Sequence, residues 1–253
     1  MRLAGKIVIV TGSSRGIGKA IALAMAQEGA QVVVAARTEQ ESAGPLPGTI
    51  YNVAEEIHAL GGHALPIKVD VTDEDQVTAM VRRILEEWGR IHVLVNNAGI
   101  LIQGRVVDVP LRRWDLVMRV NLRGTFLCTK AVLPHMMERR EGSIINISSW
   151  VGRQASPGSV AYSVSKAGIE MFTAGLAEEV REYDIAVNCL SPYRIVDTEG
   201  ARYLHPGADR SRWEPPELMA EAAVFLATRT AATLTGKSIV SQEWKALQAG
   251  IAH

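Results

Sequence analysis

Short continuous apolar runs recur along this chain, separated by longer stretches in which apolar residues return every three or four positions. Ile7–Val10, Gln31–Ala36, Ala64–Val69, Ile91–Val95, Ser143–Ile147, Ile185–Leu190 and Lys237–Val240 read as buried strands. Between them the spacing predicts helices over Gly16–Glu28, with Ile17, Ile21 and Met25 on one face, and over Thr49–Leu60, with Ile50, Val53, Ile57 and Leu60 inward. A third helix is expected to be capped by Thr72, to carry Asp73, Glu74 and Asp75 in its first turn, and to bury Val77, Met80, Val81, Ile84, Leu85 and Trp88. Leu111–Met137 and Val160–Glu182 predict two long helices, and Glu217–Ala227 a shorter one. Arg37–Gly48 and Ser191–Pro216 are Pro/Gly-rich and polar, and read as loops. Apolar strands alternating with amphipathic helices specify an α/β fold with a parallel sheet covered on both faces. No linker divides the pattern, so residues 1–253 are expected to form one doubly wound domain with seven strands.

Composition narrows the classes without naming one. Lys+Arg and Asp+Glu both number 27, so no global field favours nucleic acid or an anionic membrane. No apolar run approaches the length of a membrane span. The chain from Met1 runs directly into the first strand, so no signal peptide is expected. Cys128 and Cys189 match no metal spacing, and the six histidines show no i, i+4 pair, so no metal site is expected. Sparse cysteine suggests a reducing, cytoplasmic setting.

The chemistry collects where strands end. Ile7–Val10 runs into Thr11-Gly12-Ser13-Ser14-Arg15-Gly16-Ile17-Gly18, a glycine-rich turn that opens a helix. Such a turn leaves backbone N–H groups unpaired at the positive end of a helix dipole, which suits a phosphate. The second strand ends Ala35-Ala36-Arg37 with no acid to bond a ribose 2′-hydroxyl. Arg37, together with Arg15 in the turn, favours a 2′-phosphate through forked charge-assisted bonds; a solvated loop arginine is the plainer alternative. Tyr162 and Lys166 stand four apart on a predicted helix and share a face. A free phenol titrates near ~10, and a neighbouring ammonium would lower that value towards useful acid/base chemistry.

Taken together, these motifs resemble the short-chain dehydrogenase/reductase family over essentially the whole chain, which implies a Rossmann domain. The Thr11–Gly18 turn resembles its cofactor turn, with Gly12, Ser14, Arg15, Gly16, Ile17 and Gly18 against the dinucleotide. Asp70-Val71 is similar to the pair that meets the adenine ring, and Asn96-Asn97-Ala98-Gly99 to the segment that steadies the sheet beside the cofactor. Asn121, Ser149, Tyr162 and Lys166 fall where the family keeps its catalytic residues; Ser149, thirteen residues before Tyr162, fits better than Ser148. The resemblance implies that Tyr162 exchanges the substrate proton and Lys166 holds the nicotinamide ribose and depresses the tyrosine. It implies that Ser149 bonds the substrate oxygen and Asn121 anchors a water linked to Lys166. It also implies a homodimer or homotetramer through the long helices.

Three departures stand out. After Ser191-Pro192 the chain reads Tyr193-Arg194-Ile195-Val196-Asp197-Thr198-Glu199-Gly200, one residue longer before the threonine than the family's usual loop. Pro192 and Thr198 are still expected at the cofactor, Tyr193 and Trp150 at the substrate, with residues 191–216 as a substrate loop or lid. Ser241-Gln242-Glu243-Trp244 replaces the family's usual acidic-Gly-Gly end. The stretch after the second strand is long, and Pro47–Tyr51 with the Pro192–Gly200 loop is similar to hydroxysteroid dehydrogenase-like members. The reading is an NADP(H)-dependent oxidoreductase interconverting a carbonyl and a secondary alcohol on a small molecule. NAD(H) dependence is one alternative; a non-catalytic nucleotide-binding sensor is another.

Overall fold

β-branched side chains dominate the strands because they pack well on a pleated surface. In the computed structural model, which describes residues 1–41, 44 and 46–250, they form β1 (Ile7–Thr11), β2 (Gln31–Ala36), β3 (His63–Lys68), β4 (Val93–Asn96), β5 (Gly142–Ile147), β6 (Ile185–Ser191) and β7 (Ser238–Val240). The sheet is parallel throughout, in the order β3-β2-β1-β4-β5-β6-β7. The chain winds outwards from β1 to β3, then returns to start the other half at β4. The crevice between β1 and β4 is therefore the switch point where ligands bind in such sheets.

The helices are α1 (Gly16–Gln27), α2 (Ile50–Ala59), α3 (Glu74–Trp88), α4 (Leu111–Val117), α5 (Gly124–Arg139), α6 (Val160–Glu179), α7 (Glu199–Leu204), α8 (Pro216–Ala227) and α9 (Trp244–Gln248). Successive strand residues face opposite sides, so a single strand feeds two cores. Val8 and Val10 join Ile21, Met25, Ile57 and Phe225 under α1, α2 and α8. Ile7 and Ile9 join Val77, Ile84, Val132 and Leu176 under α3, α5 and α6.

Several expectations need correction. Thr72 does not cap α3: the Asp73 carboxylate accepts from the amides of Asp75 (3.0 Å) and Gln76 (3.1 Å), while Thr72 donates twice to Asp70 Oδ1. The helix predicted over Leu111–Met137 is α4 and α5 joined by a π-helical turn, Met118–Arg123. The helix predicted to Glu182 stops at Glu179, and Arg181–Tyr183 turns as a 3-10 helix. The loop over Ser191–Pro216 holds α7 and a parallel bridge between Val196 and Glu214. α9 gave no signal in the periodicity. Within the Arg37–Gly48 loop, Ser42, Ala43 and Pro45 lie outside the described residues, as do residues 251–253. Among the described residues no helix is long and apolar enough to cross a membrane.

Candidate active site

The turn after β1 is built by contacts to the end of β4. Thr11 Oγ1 accepts from the amides of Asn97 (3.0 Å) and Ala98 (3.1 Å). The Asn97 amide group donates back to the carbonyls of Thr11 (2.9 Å) and Gly12 (3.1 Å). Gly12 holds φ +66°, and a Cβ at Gly18 would fall 2.4 Å from Asn97 Nδ2, so only glycine lets these segments close up. Ser13 bridges β1 and β2, donating to the Val10 carbonyl (2.7 Å) and accepting from the Ala35 amide (3.0 Å).

Above this turn lies a cavity of about 560 Å³, within the usual range for small-molecule sites. Its wall brings together Gly12, Arg15, Gly16, Ile17, Gly18, Asn97, Ala98, Gly99, Ser149, Trp150, Tyr162, Lys166, Pro192 and Thr198. The remaining expected residues lie off it. Ser14 lines a neighbouring recess with Arg15 and Lys19. Val71 packs on Gly124, where an added Cβ would meet it at 2.8 Å. Asp70 makes its own turn and stands 3.8 Å from Arg37, whose side chain is 65% exposed. Tyr193 is exposed, with the Arg194 guanidinium over its ring.

At the far end, burial dominates the electrostatics. It pushes the Tyr162 phenol up to about 12, against a hydrogen bond with Ser149 that lowers it. Burial pulls the Lys166 ammonium down to about 8. Lys166 Nζ donates to the Ile147 carbonyl at 2.7 Å and sits 5.5 Å from the Tyr162 ring centre. The depression of Tyr162 by Lys166 expected from the sequence is not found: burial raises the phenol, and only the Ser149 hydrogen bond opposes it. Ser148 Oγ donates to Glu170 (2.8 Å), which leaves Ser149 as the serine turned to the tyrosine. Asn121, fully buried in the π-helical turn, accepts from the Ile100 amide (2.8 Å) and donates to the Ile100 carbonyl and Ser165 Oγ (both 3.0 Å). Its side chain is a clamp between the loop after β4 and α6, and any water anchored by it must share these bonds. π-helical turns of this kind concentrate at functional sites.

The residues present fit a phosphate-bearing dinucleotide by two observations. The Gly16 amide at the start of α1 already holds an anion, Glu199 Oε2 at 3.2 Å, whose carboxylate oxygen stands in for a phosphate oxygen. Arg15 donates to the Gly48 carbonyl (3.0 Å) and Thr38 Oγ1 (3.3 Å), while its buried Nε has no partner. A buried donor left unpaired is costly, and a phosphate would satisfy it.

The family model for short chain dehydrogenases matches residues 6–208. The chain belongs to that family. Human hydroxysteroid dehydrogenase-like protein 2 is 40% identical over 248 residues, covering 95% of this chain and 57% of the relative. The Xenopus laevis counterpart is 38% identical over 244 residues, 96% of this chain and 58% of the relative. The chain thus spans somewhat more than half the length of these curated relatives. Among solved structures, a short chain dehydrogenase from Mycobacterium thermoresistibile superposes with TM-score 0.88 at 35% identity, over 98% of this chain and 88% of the other. A protein from Beutenbergia cavernae, described as an NAD(P) dependent gluconate 5-dehydrogenase with NADP bound at low occupancy, gives 0.85 at 31% identity, over 96% and 98%. The family is thus one of dehydrogenases, and NADP is bound in the Beutenbergia cavernae protein.

Sequence reasoning missed three carboxylates. Glu170 accepts from Ser148 and pairs with Arg153 at 2.7 Å, bracing the turn that follows β5. Glu214 is buried, and its Oε2 accepts from the amides of Tyr193 (2.9 Å) and Arg194 (3.1 Å) and from Ser241 Oγ (3.1 Å). Glu199 is the third. A lone acid in the Trp213-Glu214-Pro215-Pro216 run was the available signal for Glu214; Glu170 falls four residues after Lys166, on the same face.

Proposed function

We propose that the chain is an NADP(H)-dependent oxidoreductase that interconverts a carbonyl and a secondary alcohol on an apolar small molecule. The observation that carries this reading is the meeting of Ser149, Tyr162 and Lys166 at one end of a cavity whose other end is the Gly12–Gly18 turn. The bound nicotinamide supplies or accepts the hydride. In reduction, Tyr162 Oη gives its proton to the carbonyl oxygen while Ser149 Oγ donates a hydrogen bond to the same oxygen and stabilises developing charge. A phenol held near about 12 keeps its proton at neutral pH, which suits the acid role. Lys166 would bond the ribose hydroxyls and recharge the tyrosine, a role its position at the Ile147 carbonyl supports. Ile100, Leu101, Ile147, Val151 and Ile195 on the wall support an apolar substrate, and Trp150 beside Ser149 supports direct contact with it.

Arg15, with its unpaired Nε, supports the phosphorylated cofactor; the pairing of Arg37 with Asp70 gives NAD(H) its best argument. Exposed Phe126, Val164 and Met171 on α5 and α6 support pairing of two chains through these helices. Two buried free thiols support a reducing, cytoplasmic setting. The test is Tyr162→Phe, assayed with NADPH and a panel of apolar ketones. Turnover should fall about a hundred- to ten-thousandfold with NADPH affinity retained; undiminished turnover would sink the mechanism. NADPH binding with no turnover by the wild type on any carbonyl would favour the sensor instead.

A further inference from the structure

The amides of a helix's first turn have no carbonyl partner within the helix. At the start of α1 the Gly16 amide is nevertheless occupied, by the carboxylate of a residue 183 positions later, Glu199. We propose that Glu199 is an internal anion that holds the phosphate-binding amide and must leave it when the dinucleotide binds. Cofactor binding and movement of residues 198–205 then form one event. This rests on the NAD(P) reading and assigns to it a residue that sets cofactor affinity.

Three features support the assignment. First, the donor is the one a dinucleotide phosphate needs, because the dipole of α1 favours negative charge at this point. Two anions cannot share it. Second, Glu199 makes no ion pair among the described residues: Arg202 is held by Asp197 (2.7 Å), and Lys19 by Glu56 (2.7 Å). The charge of Arg202 also acts on Glu199, but its guanidinium is bonded to Asp197, so no salt-bridge contact is broken when the carboxylate swings away. Third, Glu199 opens α7, a six-residue helix with no buried residue, so little packing resists its displacement. Its base is anchored, since Val196 bridges to Glu214 and Trp213 packs edge-on against His205 beyond its end. Gly200, Ala201, Leu204 and His205 line the substrate side of the cavity. When Glu199 releases Gly16, the Gly200, Ala201 and Leu204 part of that wall is what moves, with His205 held by Trp213.

A carboxamide keeps the shape of Glu199, weakens its hold on the amide and removes its repulsion towards phosphate. Glu199→Gln should therefore bind NADPH about three- to tenfold more tightly than the wild type in a fluorescence titration. Glu199→Ala should move in the same direction. In the free protein, amide hydrogen exchange across residues 198–205 should be faster in Glu199→Gln than in the wild type. Equal or weaker NADPH affinity in both variants overturns the proposal, as does unchanged exchange in that segment. A wild type that binds neither NADPH nor NADH would overturn the nucleotide reading itself, and this proposal with it.

Discussion

Arg15 and Arg37 carry the same charge at the ends of neighbouring strands, β1 and β2, yet the structure holds them differently. Arg37 is mostly in water and 3.8 Å from Asp70, a geometry in which an ion pair contributes little. Arg15 is partly buried and oriented by the Gly48 carbonyl and Thr38, so less order remains to be imposed when a phosphate arrives. Arg15→Ala should therefore raise the NADPH dissociation constant about tenfold relative to that of NADH, and Arg37→Ala about two- to threefold. Titrating both variants with both nucleotides checks the ranking, and a dominant Arg37 would reverse it. Both arginines were visible in the sequence. Their inequality was not, because burial and orientation depend on Thr38 and Gly48, in another loop.

At the scale of elements, the informative departures lie where a regular pattern is interrupted for a contact. The periodicity over Leu111–Met137 is helical throughout, and nothing local announces a π-helical turn. That turn places the Asn121 side chain between Ile100 and Ser165. The segment after β6 is similar: its polar, proline-containing sequence reads as a loop, but Glu214 ties it down by side chain and backbone alike. Burial raises the Glu214 carboxyl above its ordinary range, opposed by the three donors on Oε2. Glu214→Ala would leave the amides of Tyr193 and Arg194 without that acceptor. It should cost about 2 kcal/mol of stability and raise KM for the carbonyl substrate more than it lowers kcat. Glu214→Gln, which keeps an acceptor oxygen, should recover most of both. Denaturant unfolding and steady-state kinetics on the two variants separate this from a general folding defect.

Across the whole molecule, the site and a buried histidine stand at opposite ends of the strands. His92, directly before β4, accepts the Ile7 amide on Nδ1 at 2.9 Å. Burial, with smaller help from the Lys6 charge, lowers its pKa from 6.5 to about 4, while Glu141 pulls the other way. The folded state therefore binds fewer protons at this group than the unfolded chain does. The stabilisation is complete above pH 6.5 and is lost as pH falls towards and through about 4. The loss should amount to roughly 2 kcal/mol once partial solvation is allowed for. Urea midpoints measured across that window should fall less in His92→Gln than in the wild type. Equal slopes would remove His92 from the account.

The sequence by itself determined the strands, most helices and the glycine-rich turn, because periodicity and backbone freedom are local properties. It also determined which residue types stand at the strand ends, which is why most of the expected residues meet around one cavity. Tertiary structure alone decided that burial raises the phenol of Tyr162 and that Tyr193 stands exposed, off the cavity wall. It alone brought Glu199 to Gly16 and Glu214 to Tyr193. Those outcomes depend on desolvation and on contacts between residues far apart in the chain, and neither leaves a mark on the local pattern of hydrophobic and polar positions.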